Sequence, residues 1–302
     1  MTVSACIVLA LSASATVDDD SVNQPGILEV PFRFDHNEIL VQARIANQEP
    51  FTALLDTGTS PSAVDVTFAK SAGLALRKVT GEVTGGGSER PEIYVTKLPS
   101  LVVNPLSARD LQAVALDLSK LRQGLSTEIQ AVLGSDFLAG RILQIDNPKN
   151  VIRVYPSSFL SLSDTRGNRV ILPFKIEDDH LVLEDVAVNG KKIKATLDTG
   201  SDGSFKLTPA ATQDLKLAAV ASKGEPDASV GYKGAAQNTR GTVDRITIGS
   251  IELKSPAVIF FGKGTGRDKR PWGLNIGNQF LRDCVVTIDY PRKLIALERT
   301  ER

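Results

Sequence analysis

Histidine and cysteine are nearly absent from this chain of 302 residues, which holds only His36, His180, Cys6 and Cys284. Two thiols so far apart, with no CxxC or HxxxH spacing anywhere, exclude a structural zinc site and a disulfide-stapled scaffold. Each histidine sits in a polar run, Asp35-His36-Asn37 and Asp179-His180-Leu181. Such runs read as solvated turns rather than as the base of a Ser-His-Asp site. Neither sign of charge is in excess, with 35 Lys plus Arg against 35 Asp plus Glu, so nothing is set aside to neutralise a nucleic-acid backbone. Hydrophobic residues at 42% and charged residues at 23% give the balance of a globular protein of about two domains. Chemistry then has to come from carboxylates, hydroxyls and backbone, with neither metal nor cofactor expected.

The first 25 residues read as a leader and linker. Ala5 to Ala15 (ACIVLALSASA) is apolar, ends in small residues and is too short to span a bilayer. It fits the hydrophobic core and cleavage end of a secretory signal, which predicts an extracytoplasmic protein without stable membrane insertion of the mature chain. The departure is the missing positive start, since the first basic residue is Arg33; a buried strand or helix is the other reading. Val3-Ser4-Ala5-Cys6 also resembles a lipobox but has no hydrophobic run before it.

What the chain does have is a repeat. Val30 to Gly58 (VPFRFDHNEILVQARIANQEPFTALLDTG) aligns without a gap on Leu172 to Gly200 (LPFKIEDDHLVLEDVAVNGKKIKATLDTG) at an offset of 142. Leu133 to Lys149 aligns on Ile276 to Arg292 at an offset of 143. A near-constant offset at both ends makes each copy a full module of about 130 residues. The domains are therefore expected at 26–158 and 170–302, joined by a Ser-rich linker at 159–169. Within each copy the pattern is mostly strand: Ile39 to Ile45 with Phe51 to Leu55, and Leu181 to Val188 with Lys194 to Leu197. Asn189-Gly190 is a type I′ hairpin signal, and short helices are expected at Val64 to Ser71 and Pro209 to Leu215.

Each copy places Asp-Thr-Gly straight after an apolar strand, as Asp56-Thr57-Gly58-Thr59 and Asp198-Thr199-Gly200-Ser201. One such triplet is explained by an Asx-turn at a strand end. Two at matching positions, each followed later by Leu133-Gly134 or Ile276-Gly277, are not. On these residues the chain resembles aspartic proteases of the pepsin/retropepsin clan, closest to bacterial retropepsin-like proteins with two tandem modules. The resemblance covers about Pro25 to Arg302. It implies a mainly β fold of two pseudo-symmetric, barrel-like lobes with a few short helices, and a catalytic pair of Asp56 and Asp198 at the lobe interface. It also implies that Thr57 and Thr199 brace the loops by crossing hydrogen bonds, with Gly58 and Gly200 beside them. Thr59 and Ser201 are to bond the outer carboxylate oxygens.

The physics suits that role. Two carboxylates at about 3 Å repel by roughly 5 kcal/mol at an effective dielectric of 20. They share one proton and titrate as a unit. The ionised member can take a proton from water and the protonated one can donate to a carbonyl oxygen, so peptide hydrolysis needs no histidine, thiol or metal. Because both halves lie on one chain, their effective concentration is on the order of millimolar and a monomer suffices. The expected partner is a polypeptide substrate.

Flap candidates are Val79 to Tyr94, with Gly85, Gly86 and Gly87 at its tip, and Ser229 to Thr242, with Tyr232 as a substrate-facing aromatic; ordinary surface loops explain both segments equally well. Departures from the family are Pro61-Ser62-Ala63-Val64 after the first triplet and a third carboxylate, Asp202, which reads as a solvent-facing turn residue. Gly262 to Pro271 is basic and Gly-rich but lacks P-loop spacing, so it reads as a solvated loop. The expected function is an aspartic endopeptidase. The alternatives are a peptide-binding homologue without turnover and a two-lobe scaffold for a partner protein.

Overall fold

The computed structural model describes residues 26–81, 89–156, 169–262 and 270–300, together with the backbone of short strands at 2–3, 5–7 and 83–85. The architecture is mainly β, with six short α-helices among the described residues. The expected helices are found at Val66–Ser71 and Pro209–Asp214. Asp65 caps the first by accepting from the Thr67 and Phe68 N–H groups at 2.9 and 3.1 Å, and Thr208 caps the second with Pro209 in its first turn. Among the described residues no helix is long and apolar enough to cross a membrane.

In lobe one, Glu38–Ile45 is one unbroken strand, paired with Phe51–Leu55 on one edge and with Ile93–Val103 on the other. That double pairing closes a six-stranded barrel through Ala131–Leu133, Ala63–Asp65 and Leu106–Leu116. In lobe two, the matching run is not the single strand its sequence suggests. It breaks into His180–Leu183 and Val186–Val188, which join different sheets. The break falls at Glu184-Asp185, both exposed, where lobe one has Ala43 buried inside the barrel. A carboxylate cannot take that interior place without a partner, so the strand leaves the layer. Val186–Val188 then turns through Asn189-Gly190, at φ values of 50° and 79°, into Lys191–Lys192.

The lobes meet in a run of six strands: Leu28–Pro31, Val151–Tyr155, Ile142–Asp146, Cys284–Asp289, Leu294–Arg299 and Arg169–Glu177. Each lobe contributes three. At its centre Gln144 lies opposite Thr287, its own equivalent in the other copy, and donates to the Thr287 hydroxyl at 3.2 Å. A pairing of equivalents marks a pseudo-two-fold axis, the covalent counterpart of an isologous dimer contact. The expected linker lies almost wholly outside the described residues.

Candidate active site

Each Asp-Thr-Gly loop follows a strand that ends against a parallel neighbour, Phe51–Leu55 beside Ala131–Leu133 and Ala195–Asp198 beside Leu274–Gly277. The two loops lie on the pseudo-two-fold axis and lock each other. The Thr57 N–H donates to the Thr199 hydroxyl oxygen at 3.0 Å, and the Thr199 N–H donates to that of Thr57 at 3.1 Å. Each hydroxyl in turn donates across the interface, Thr57 to the Leu197 carbonyl and Thr199 to the Leu55 carbonyl, both at 2.9 Å. Four buried bonds thus hold the two lobes at this point, each worth on the order of 1 kcal/mol net and more if one partner is left stranded.

This lock brings the carboxylates face to face. A Cβ on Gly58 would stand 2.7 Å from the Asp198 Cγ, and one on Gly200 would stand 2.1 Å from the Asp56 Cγ. Each glycine is therefore the space that the opposite lobe's carboxyl occupies. Gly134 and Gly277 are needed for a similar reason, since a Cβ on either would meet the Thr59 or Ser201 carbonyl oxygen at 2.4 Å. The Gly58 and Gly200 N–H groups donate to Asp56 Oδ1 and Asp198 Oδ1 at 2.8 and 2.9 Å. Both aspartates are buried. Burial first, then the charge of Asp198 and their shared hydrogen bond, hold the Asp56 carboxyl well above the usual carboxylate range, against the pull of Thr59 and Gly58. The pair is therefore built to keep a proton under conditions where an isolated aspartate has lost it.

The outer oxygens are treated unequally. The Thr59 hydroxyl donates to Asp56 Oδ2 at 2.7 Å, as the resemblance implies. Ser201 does not do the same for Asp198: its hydroxyl is buried and has no hydrogen-bond partner among the described residues. Asn275 has taken that oxygen, its side-chain amide donating to Asp198 Oδ2 at 2.5 Å. The Asn275 amide reaches the carboxylate from the neighbouring strand.

Two further expectations are corrected. Asp202 does not face solvent; its side chain is 11% exposed and accepts from the buried ammonium of Lys206 at 3.2 Å, because a buried cation needs a counter-charge. His180 is not a solvated turn residue; it is buried edge-on against Trp272 beside Arg270, and burial followed by the Arg270 charge lowers its pKa to about 3. His36 remains an exposed turn residue at positive φ beside Asp35.

Glu38, the equivalent of His180 in the first copy, went unrecognised as a site residue. It is fully buried at the interface, 3.5 Å from the Asn278 side-chain amide that also donates to the Thr199 carbonyl. Burial, then the charges of Asp202 and Asp56, push its carboxyl well above the usual range, with Lys206 opposing and Asp198 adding to the rise. A folded-state pKa above the unfolded value of about 4.3 means that stability is greatest below that value and falls as pH rises through the folded one. Glu38→Gln, which stays neutral, is expected to raise stability at pH 7 and to leave it nearly unchanged at pH 4. Urea unfolding at both pH values measures this; equal effects at both would contradict the buried-proton assignment.

The described parts of the two flap candidates meet each other. Lobe two forms a tight hairpin, Glu225–Gly231 paired with Gly234–Thr242, whose tip is Tyr232-Lys233. Tyr232 is buried and packs into an apolar cluster of lobe one that includes Leu54, Leu121 and Val132. The lobe-one projection rises from the pairing of Arg77–Val79 with Ile93–Val95, and the Glu89 N–H donates to the Lys233 carbonyl at 3.2 Å. Gly85 ends the Val83–Gly85 strand, whereas Gly86 and Gly87 lie outside the described residues. Most of the Gly262 to Pro271 loop does as well. The amino-terminal backbone meets these projections: Thr2–Val3 runs parallel to Ser229–Val230, and Ala5–Ile7 runs antiparallel to Val83–Gly85.

Comparison with known proteins agrees with this geometry. No curated protein matches the chain as a relative. The family described as aspartyl protease matches twice, over residues 41–137 and 184–280. Both matches end at equivalent phenylalanines, Phe137 and Phe280, and each contains one of the two triplets. The chain therefore belongs to the aspartyl protease family, as a tandem pair of retropepsin-like modules.

Proposed function

We propose that the protein is an endopeptidase that hydrolyses peptide bonds with a water activated between Asp56 and Asp198. The observation that carries this reading is the face-to-face placement of two buried carboxyls, one from each copy, each in the space left by the other's glycine. The ionised carboxylate takes one proton from the water while its oxygen bonds to the scissile carbonyl carbon. The other carboxyl gives its proton to the carbonyl oxygen, yielding a neutral gem-diol. Collapse returns a hydroxyl proton to the dyad, the C–N bond breaks, and the leaving nitrogen takes the proton held by the opposite carboxyl. No net proton is consumed by the enzyme.

A peptide as substrate is supported by the backbone pairings of the two projections. Two short strands near the amino terminus meet these projections, Thr2–Val3 in parallel sense with one and Ala5–Ile7 in antiparallel sense with the other. Two projections related by a two-fold axis run in opposite directions, so a single peptide strand between them has to pair in this way.

The test is digestion of a mixed peptide library between pH 3 and pH 8 with the products read by mass spectrometry. Internal cleavage is expected through the acid range and above the ordinary carboxylate pKa, because Asp56 keeps its proton there. It is expected to fall as pH rises through the pKa of Asp56. Peptides left intact at every pH would overturn the reading in favour of a binding homologue.

A further inference from the structure

Beside the dyad the two lobes differ in one row of side chains. In lobe one, Val132 lies in register with Leu54 on one neighbouring strand and Ala63 on the other. In lobe two the same three places hold Asn275, Thr196 and Lys206. Thr196 precedes Asp198 by two residues on the same strand, so strand alternation puts the row on the face that carries the catalytic carboxyl. All six side chains are buried. An apolar row fills the position in lobe one, so support of the strand does not demand polar groups there, and burying them without partners costs about 1–3 kcal/mol per group.

The partners are in fact missing. Thr196 Oγ1, Asn275 Oδ1 and Ser201 Oγ, all buried, have no hydrogen-bond partner among the described residues. Asn275 touches Asp198 itself, so any peptide bond held at the dyad lies within side-chain reach of this row. An amide oxygen left open there calls for an N–H or O–H donor. Charge narrows the choice. Asp198 and Asp202 flank the row and disfavour an anionic visitor, while the Lys206 ammonium, already held by Asp202, disfavours a cationic one. In lobe one, Leu54, Ala63 and Val132 sit in an apolar cluster with Leu116, Leu121 and Tyr232.

We propose that the cleft is chemically asymmetric: the lobe-two side takes a substrate residue with an uncharged hydrogen-bonding side chain (Ser, Thr, Asn or Gln), and the lobe-one side takes an aliphatic one. This rests on the endopeptidase reading. A site whose buried polar groups need a substrate partner rejects the apolar analogue far more strongly than a greasy pocket discriminates by size.

The test is kcat/KM on peptides randomised at the two residues flanking the cut, for the wild type and for Thr196→Leu/Asn275→Val, which writes the lobe-one residues into lobe two. The wild type is expected to prefer one aliphatic and one uncharged polar flank by at least tenfold over two aliphatic flanks. The double variant is expected to reverse that order. Thr196→Val, nearly isosteric, serves if the double variant does not fold; it should slow only the polar-flanked peptides, by severalfold. A wild-type preference for aliphatic residues on both sides would overturn the proposal while leaving the endopeptidase reading intact. So would an equal loss on every peptide in the variants, which would make the row a support for Asp198 alone. No cleavage by the wild type would overturn the endopeptidase reading, and the proposal with it.

Discussion

Asp56→Asn and Asp198→Asn are each expected to lower kcat/KM for peptide hydrolysis by at least about 10³-fold while leaving a folded protein. The reason is stoichiometric. Turnover needs one group to take a proton and another to give one, and a carboxamide does neither. Both losses should be of similar size, because removing either member of a pair that acts as a unit removes the function of the pair. The fold should survive, since the Asn oxygen still accepts from the Gly58 N–H at position 56 or the Gly200 N–H at position 198, while the new NH2 group donates to the Thr59 hydroxyl oxygen or, once the Asn275 amide flips, to Asn275 Oδ1. At position 56 stability at neutral pH should rise, because burial and the Asp198 charge oppose ionisation there. Steady-state kinetics and urea unfolding on the same preparations check both halves of this expectation.

The second large effect is expected from adding one methyl group. In Gly200→Ala the new Cβ would sit 2.1 Å from the Asp56 Cγ and 2.2 Å from its Oδ2. No such contact is tolerated, so the Asp56 carboxyl or the whole loop must move. An error of about 1 Å in a catalytic group costs on the order of 10²-fold, and that is the minimum loss expected in kcat. Gly58→Ala should cost less, its Cβ standing 2.7 Å from the Asp198 Cγ. The ranking separates a shared site from two independent ones, for in the latter case a glycine of one loop would not disturb the carboxylate of the other. Kinetics of the two alanine variants, with KM and kcat resolved, read it.

The pairing of the two loops was legible in the sequence because a tandem repeat doubles every signal: a triplet too common to mean anything once becomes specific when it recurs in register. Strand ends, the Asn189-Gly190 turn and the capped helices were legible from local chemistry. Asn275, Lys206 and Glu38 were not, although two of them had a visible mark. Leu274-Asn275-Ile276-Gly277 and Phe205-Lys206-Leu207 each put one polar residue inside a short apolar strand. The aligned copy has Val132 and Ala63 there, so comparing the repeats column by column would have exposed the change. Glu38 left no mark, because it follows Asp35-His36-Asn37 and looks like the end of a polar turn. Only the arrival of lobe two, with Asp202 and Lys206, makes it interior. His180 was misread for the same reason: Arg270 and Trp272 cover it from about ninety residues away. The split of the Leu181 to Val188 run follows from where Asp185 would point in a closed barrel, which alternation alone does not reveal.

The central claim is that one active site is built from one carboxylate of each copy within a single chain. The most direct test is the rate of peptide hydrolysis by Asp56→Asn and Asp198→Asn, assayed singly and after mixing in equal amounts, against the wild type at the same concentration. The account predicts an active wild type and two inactive variants, with no activity recovered on mixing, because each chain carries both loops of its own site. Substantial recovery on mixing would place the site between chains, and a variant that retains wild-type activity would show that its aspartate takes no part in the chemistry.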